Sequence, residues 1–247
     1  MSPKELPGSG EAVTKKIDMG YEGKVVVVTG AGRGIGRCVA EMYCSEGAKV
    51  VLAEKDASAG ETAAREIVSK GGDASFIRTD VSIPFQVTAM IMKAAEVYGT
   101  VDIVVNNAGF GIWKSPLELT VDEWDAVINT NLRGPFLCAR EAARFMKEHG
   151  GGSIINIAST RAFMSEAGSE AYAASKGGIV ALTHALAASL AQYRIRVNCI
   201  SPGWIETGDY SALRDTDHSP HFSGRVGRPE DIARACLFLT GDGNEFI

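Results

Sequence analysis

The sequence lacks the features of a membrane protein and of a nucleic-acid-binding protein. Its apolar stretch at residues 179–191 is shorter than a bilayer span and is interrupted by Thr183, His184 and Ser189. Basic side chains are also in deficit, because 25 lysines and arginines face 30 acidic residues and give a formal net charge of −5. Such an acidic balance is the opposite of the electrostatic footprint of a nucleic-acid-binding protein. We therefore expect neither a membrane nor a nucleic acid as partner.

Cysteine is scarce and is not arranged for cross-linking. The five cysteines are an odd number, and none forms a CxxC pair; they are Cys38, Cys44, Cys138, Cys199 and Cys236. This argues against a disulfide framework or a zinc site and favours a reducing, cytoplasmic environment. His218 and His221 have no nearby cysteine or carboxylate pattern typical of zinc, so no metal is expected.

The first 22 residues contain prolines, glycines and lysines but no apolar core of a secretory signal. We expect residues 1–22 to be a flexible leader. The remaining residues, 23–247, contain no repeat or interior linker and are long enough for one α/β domain.

Short β-branched segments alternate with longer helical patterns along this domain. The predicted strands are 24–29, 49–53, 74–78, 102–105, 153–157 and 196–200, and the predicted helices are 34–46, 57–70, 84–98, 121–149, 169–192 and 229–240. Strands such as Val25 to Val28 are apolar without alternation, which indicates burial on both faces. The pattern predicts a single Rossmann-like, doubly wound parallel sheet with helices on both faces and a ligand crevice at the carboxyl ends of the strands.

Glycine is enriched, and its densest cluster directly follows the first predicted strand. Residues 29–36 read TGAGRGIG, and a helical pattern opens at Ile35. A turn without Cβ atoms lets the backbone approach a pyrophosphate, and the helix N-terminus offers unpaired N–H groups. The motif predicts a dinucleotide site, with a ligand-free glycine-rich turn as the alternative.

Charged residues near this loop bear on the choice of dinucleotide. Glu54 lies 18 residues beyond Gly36, at the end of the second strand, where a carboxylate can accept hydrogen bonds from ribose hydroxyls. That placement favours NAD, whereas Arg33 and Lys55 could attract the 2′-phosphate of NADP. Asp80, with Val81, follows the third strand where an adenine would lie, although a turn or helix-capping role is the alternative.

Three side chains suggest acid–base chemistry. Tyr172 and Lys176 are four residues apart in a helical stretch and therefore share a face. An ammonium near a phenol is expected to lower the phenol pKa toward the range useful for catalysis. Ser159 follows the fifth strand and could hold a substrate carbonyl or alcohol oxygen. The alternative for Tyr172 and Lys176 is packing combined with surface charge.

Taken in order, the glycine loop, the NNAG segment at 106–109, Ser159, the YxxxK pair and the turn at Pro202 resemble the short-chain dehydrogenase/reductase family. The resemblance implies a dinucleotide-binding and catalytic domain at 23–247 that acts as an NAD(P)-dependent oxidoreductase. In it, Tyr172 would be the general acid/base, Lys176 would hold the nicotinamide ribose and depress the tyrosine pKa, and Ser159 would orient the reacting oxygen. Asn131 matches the fourth residue of the family's catalytic set, which supports a proton-relay water near the lysine.

The resemblance also implies a set of cofactor contacts along the cleft. The expected cofactor-binding residues are Gly30, Arg33, Gly34, Ile35, Gly36, Glu54, Asp80, Val81, Asn107, Gly109, Tyr172, Lys176, Pro202, Gly203, Ile205 and Thr207. The implied reaction is hydride transfer between NAD, or alternatively NADP, and a secondary alcohol or ketone. Two other functions remain open: an NADPH-dependent 3-oxoacyl-thioester reductase, and a non-catalytic NAD(P)-binding regulatory protein.

Family members commonly form homodimers or homotetramers, so a homo-oligomer is expected. The family usually adds a strand after the helix at 229–240, whereas this sequence stops at Ile247, so the sheet is expected to lack that strand. Substrate choice should lie in segments 110–116, 160–169 and 204–222. Their candidate side chains are Trp113, Phe163, Met164, Trp204 and Tyr210, with Lys114, Arg161, Arg214, His218 and His221 as polar selectors.

Overall fold

The computed structural model describes residues 19–247 and has a six-stranded parallel sheet at its centre. The strands are β1 (Val25–Thr29), β2 (Lys49–Glu54), β3 (Asp73–Arg78), β4 (Ile103–Asn106), β5 (Gly152–Ile157) and β6 (Ile195–Ile200). Their order across the sheet is β3-β2-β1-β4-β5-β6. The chain thus moves outward from β1 to β3 and then crosses back to β4 on the other side of β1. This confirms the predicted doubly wound parallel sheet.

Helices cover both faces of the sheet. They are α1 (Gly34–Ser45), α2 (Ala57–Ser69), α3 (Pro84–Tyr98), α4 (Val121–Ile128), α5 (Gly134–Met146), α6 (Glu170–Leu190), α7 (Asp215–His218) and α8 (Pro229–Thr240). Side chains of α1, α2 and α8 pack into one buried cluster, and those of α3, α5 and α6 pack into the other. Val26 and Val28 point into the first cluster and Val27 into the second, which explains the unbroken valine run of β1.

The helix predicted over 121–149 is helical from residue 121 to residue 146, but it is not an α-helix throughout. Between α4 and α5, residues Asn129–Arg133 form one turn of π-helix, in which the Gly134 N–H donates to the carbonyl of Asn129. Pro135 has no N–H and cannot make the usual bond to the carbonyl of Asn131 four residues earlier. The helical part also ends at Met146, before the predicted His149. Single π-turns inside helices often occur at functional sites, and this one holds Asn131.

The segment predicted as a leader lies partly outside the described residues, since residues 1–18 are not among them. Within the described part, Tyr21 is only 2% exposed. Its hydroxyl is 2.9 Å from Oγ1 of Thr240, and its ring meets that of Tyr43 edge to face. The structure therefore places a residue of the predicted leader in the hydrophobic core of the domain.

Two further expectations concern what the described residues do not contain. Within residues 19–247, no helix is both long enough and apolar enough to span a bilayer. The same residues include no group of histidine, cysteine, aspartate and glutamate side chains arranged to hold a metal ion.

The glycine loop gives the first testable prediction. A Cβ atom on Gly36 would overlap the carbonyl oxygen of Gly30 and the side-chain amide of Asn107, whereas one on Gly177 would have no heavy atom nearer than 3.9 Å. We expect Gly36→Ala to lower the free energy of unfolding by about 1–3 kcal/mol through overpacking. Gly177→Ala, the matched control in another helix, should leave it unchanged or raise it by up to about 1 kcal/mol. Urea unfolding measures both, and equal stability of the two variants would contradict the close approach at Gly36.

Candidate active site

A cleft of about 790 Å³ lies at the carboxyl ends of the strands, where the fold class predicts a ligand. Most of the residues singled out in the sequence line it: Gly30, Arg33, Ile35, Glu54, Asp80, Val81, Asn107, Gly109, Ser159, Tyr172, Lys176, Pro202, Gly203, Ile205 and Thr207. Gly34, Gly36 and Asn131 are not among the lining residues. They lie behind the wall and support it, as described below.

The loop between β1 and α1 presents backbone rather than side chains at one end of the cleft. Gly30 has a φ of 65°, and a Cβ atom there would lie 2.9 Å from Cα of Ala108. Gly34, with a φ of 55°, packs against Thr207. At the N-terminus of α1, Arg33 makes no side-chain capping bond, and the first turn contains no acidic residue. The N–H groups of this turn are thus not satisfied by a capping side chain and can bind an anion.

Glu54 forms an anionic patch beside this loop. Its carboxylate accepts hydrogen bonds from the backbone N–H groups of Gly32 (3.1 Å), Lys55 (2.8 Å) and Asp56 (3.0 Å). The two nearby cations each have a carboxylate partner: Arg33 lies 3.5 Å from Asp56, and Lys55 lies 3.4 Å from Asp80. Glu54 has no cationic partner among the described ion pairs, so its charge stays available to the cleft.

Asp80 and Asn107 are both engaged by neighbouring protein groups. Asp80 Oδ1 accepts from the N–H (3.0 Å) and the hydroxyl (2.6 Å) of Ser82. Burial alone would raise the pKa of Asp80, but the hydrogen bonds from Ser82 and the charge of Lys55 outweigh it and lower that pKa. Asn107 donates its side-chain amide to the carbonyl oxygens of Thr29 (3.0 Å) and Gly30 (3.1 Å). Its amide nitrogen therefore holds the glycine loop in place.

Lys176 and Tyr172 meet at the centre of the cleft on the first turns of α6. Lys176 is 4% exposed and donates to the carbonyl of Ile157 at 2.8 Å, with Nζ 5.5 Å from the centre of the Tyr172 ring. Burial lowers the pKa of Lys176 to about 8, although a contribution from Cys199 opposes this. The lysine is thus fixed by the end of β5.

The predicted lowering of the Tyr172 pKa by Lys176 is not found. Burial raises the pKa of Tyr172 above its usual value, and only a hydrogen bond with Ser159 and the charge of Arg161 oppose that rise. The ammonium of Lys176 is directed at the carbonyl of Ile157. Desolvation of the phenol consequently outweighs the hydrogen bond with Ser159 and the charge of Arg161.

The side chain of Asn131 is held by Phe110 and Ser175. It is fully buried in the π-turn, where its amide nitrogen donates to the carbonyl of Phe110 (2.8 Å) and to the Ser175 hydroxyl (3.1 Å). Its amide oxygen accepts from the N–H of Phe110 at 3.0 Å. The side chain therefore fixes the start of the segment that follows β4, beside the cleft.

Sequence reasoning missed Glu166, which lines the cleft opposite the dinucleotide end. Its carboxylate accepts from Trp113 Nε1 (2.8 Å) and from Arg161 Nη2 (2.7 Å), and the Trp113 ring lies 5.4 Å from that of Tyr172. Of the ten side chains proposed for substrate selection, only Trp113, Arg161 and Trp204 line the cleft. The irregular segment that contains Glu166 has no motif. The only signal in the sequence was that Glu166 lies within 160–169, one of the segments expected to determine substrate choice.

Comparison with known proteins identifies the family to which this fold belongs. A family model described as enoyl-(acyl carrier protein) reductase matches residues 30–247. The chain belongs to the short-chain dehydrogenase/reductase family. An uncharacterized oxidoreductase of Thermotoga maritima is 50% identical over 229 residues, which are 90% of each chain. The 3-oxoacyl-acyl-carrier-protein reductase FabG of Chlamydia pneumoniae is 37% identical over 235 residues, covering 94% of this chain and 95% of that protein.

A crystal structure from Agrobacterium tumefaciens, provisionally described as a gluconate dehydrogenase, superposes with a TM-score of 0.87 at 33% identity over 94% of each chain. The fold and the oxidoreductase class are thereby established for this member of the family. The relatives act on different substrates by their descriptions, so the class does not select a substrate.

The elevated pKa of Tyr172 can be measured directly. We would compare absorbance titrations of wild type and Tyr172→Phe without added dinucleotide. The phenolate signal that only wild type shows should have a midpoint above the usual pKa of tyrosine, because burial disfavours the charged phenolate. Tyr193→Phe, which removes a more exposed phenol, is the matched control. Far-ultraviolet circular dichroism confirms that each protein is folded over the range compared. A Tyr172 signal with a midpoint below the usual pKa of tyrosine would contradict the dominance of burial.

Proposed function

We propose that this protein is an NAD-dependent dehydrogenase/reductase that transfers hydride between the nicotinamide and a secondary alcohol or ketone. The observation that carries this proposal is the convergence of Ser159, Tyr172 and Lys176 in one cleft. The other end of that cleft is formed by the glycine loop and Glu54. A proton donor and a dinucleotide site thus share one cavity, as hydride transfer to a carbonyl requires.

The residues at the dinucleotide end fit such a cofactor. The uncapped first turn of α1 offers backbone N–H groups to a pyrophosphate, and a side chain at Gly30 would collide with Ala108. We assign the adenosine half to Glu54, Asp80 and Val81, and the nicotinamide half to Tyr172, Lys176 and the segment 202–207. When bound, the nicotinamide supplies or accepts the hydride.

The protein's own groups then handle the proton. Ser159 Oγ accepts the N–H of Arg161 at 3.2 Å, so its own proton can be donated to a substrate oxygen. The Tyr172 hydroxyl gives up its proton when a carbonyl is reduced and takes one when an alcohol is oxidised. Lys176, held by the carbonyl of Ile157, places a positive charge near the Tyr172 ring during this proton transfer.

Charge at the adenosine end favours NAD over NADP. A 2′-phosphate would lie against the Glu54 carboxylate, and the two cations that could compensate, Arg33 and Lys55, each have an aspartate partner. The relatives described as 3-oxoacyl-acyl-carrier-protein reductases support that activity as a second candidate. A purely regulatory NAD(P)-binding protein has no evident need for the set of Asn131, Ser159, Tyr172 and Lys176.

The preference for NAD can be tested by titrating the protein in parallel with NADH and NADPH. We expect tighter binding of NADH, detected by nicotinamide fluorescence. Glu54→Gln removes the charge that opposes a 2′-phosphate and should shift the ratio of the two dissociation constants toward NADPH by about tenfold. Glu61→Gln, on the exposed side of α2, makes the same charge change and should leave the ratio unaltered. Tighter NADPH binding by wild type would overturn the assignment to NAD.

The acid–base role is tested by Tyr172→Phe. Loss of the phenolic proton should lower turnover of secondary alcohols about 10²–10⁴-fold while NADH binding is nearly unchanged. Tyr193→Phe should retain full activity. Substantial residual turnover in Tyr172→Phe would exclude Tyr172 as the general acid/base.

A further inference from the structure

The end of the cleft opposite the glycine loop holds one cation with unused hydrogen-bond donors. Arg161 lies in the short turn after Ser159, with its side chain 29% exposed. Only its Nη2 atom has a hydrogen-bond partner among the described residues, namely Glu166. Its Nε and Nη1 donors have no such partner within that part of the chain. A guanidinium has five donors in a planar fork that matches a carboxylate.

The other cations of the cleft are placed for different tasks. Arg33 and Lys55 lie at the adenosine end and are paired with aspartates, and Lys176 is committed to the carbonyl of Ile157. Arg161, in contrast, is next to the catalytic centre, because its backbone N–H bonds the Ser159 hydroxyl and its charge is felt by Tyr172. It is therefore the cation available to a group carried by the substrate.

The side chain of Glu166 is more exposed than that of Arg161. It is 44% exposed and comes from an irregular segment, so it can rotate toward solvent. The Trp113 indole that shares its carboxylate also forms a wall over Tyr172. The pair is neutral as it stands, and a second carboxylate of suitable geometry can replace Glu166 on the same guanidinium.

We infer that Arg161 binds a carboxylate carried by the substrate and that Glu166 is a placeholder which this carboxylate displaces. The inference rests on the proposed function and narrows its substrates to hydroxy acids and oxo acids. The reacting hydroxyl or carbonyl would lie at Ser159 and Tyr172, with the carboxylate toward Arg161 and the carbon chain against Trp113.

Substitution of Arg161 and substitution of Glu166 should change carboxylate binding in opposite directions. This distinguishes a substrate-binding role of the ion pair from a structural role. We would measure equilibrium binding of butyrate and benzoate, and of the neutral butyramide and benzamide, by calorimetry in the presence of NADH. Wild type should bind each carboxylate more tightly than its amide. Arg161→Gln should weaken carboxylate binding about tenfold and leave amide binding unchanged. Glu166→Gln, which keeps an oxygen acceptor for Trp113, should strengthen carboxylate binding severalfold.

Turnover provides a second readout. Oxidation of 3-hydroxybutyrate with NAD should lose more efficiency in Arg161→Gln than oxidation of 3-hydroxybutyramide does, and Arg161→Lys should recover part of that difference. The amide substrate corrects for the effect of the Arg161 charge on Tyr172. Glu96→Gln, which alters an exposed pair with Lys93, is the control and should change nothing.

Equal binding of carboxylate and amide by wild type would overturn the inference. So would a loss of both ligands to the same extent in Arg161→Gln and Glu166→Gln, since that result indicates a structural tie between the loops. Failure of the proposed function is recognised separately, because NADH would then fail to bind, or neither 3-hydroxybutyrate nor 3-hydroxybutyramide would be oxidised.

Discussion

The hydrogen bonds that join the carboxyl ends of β1 and β4 are the constraint on which the rest of the cleft depends. Thr29 Oγ1 accepts the N–H groups of Asn107 (3.0 Å) and Ala108 (3.1 Å), and Asn107 donates its amide to the carbonyls of Thr29 and Gly30. These two strands are neighbours at the point where the strand order reverses. A crevice opens at such a point in every doubly wound sheet. Here the same bonds fix the glycine loop at its edge.

The two ends of the cleft, on either side of these hydrogen bonds, use different kinds of protein group. The dinucleotide end uses backbone N–H groups. Every residue except proline has such a group, and glycine, which has no Cβ atom, lets a ligand approach it closely. The substrate end uses side chains from segments after β4 and β5. Asn131 fixes the start of the segment after β4 at Phe110, and the pair of Arg161 and Glu166 lies in the segment after β5. The geometry of the sheet edge and the chemistry of its loops are thus set by different residues, which is how one fold can serve many substrates.

Much of the fold and part of the site could be predicted from the sequence. Val25 to Val28 could only be a strand covered on both faces, and the spacing of Tyr172 and Lys176 placed both on one helix face. The π-turn was missed because a helical pattern of apolar residues does not show which backbone bonds are made. The raised pKa of Tyr172 was missed because burial is a property of the packed structure, whereas the Tyr–Lys spacing shows only proximity. Glu166 belongs to no periodic element, and only the folded loops bring it to Arg161.

The charges of the cleft are arranged so that most cations are compensated before any ligand is considered. Arg33 pairs with Asp56, Lys55 with Asp80 and Arg161 with Glu166. Because opposite charges nearly cancel, the cleft as a whole exerts little long-range attraction on anions. The choice of ligand therefore depends on which ion pairs in the cleft a ligand can replace. Among the carboxylates in and beside the cleft, Glu54 differs from Asp56, Asp80 and Glu166, because it is held by three backbone N–H groups and not by a cation. A carboxylate fixed in this way repels an incoming anion and so discriminates against it, whereas the proposed role of Glu166 is to give up its place on Arg161 to the carboxylate of the substrate.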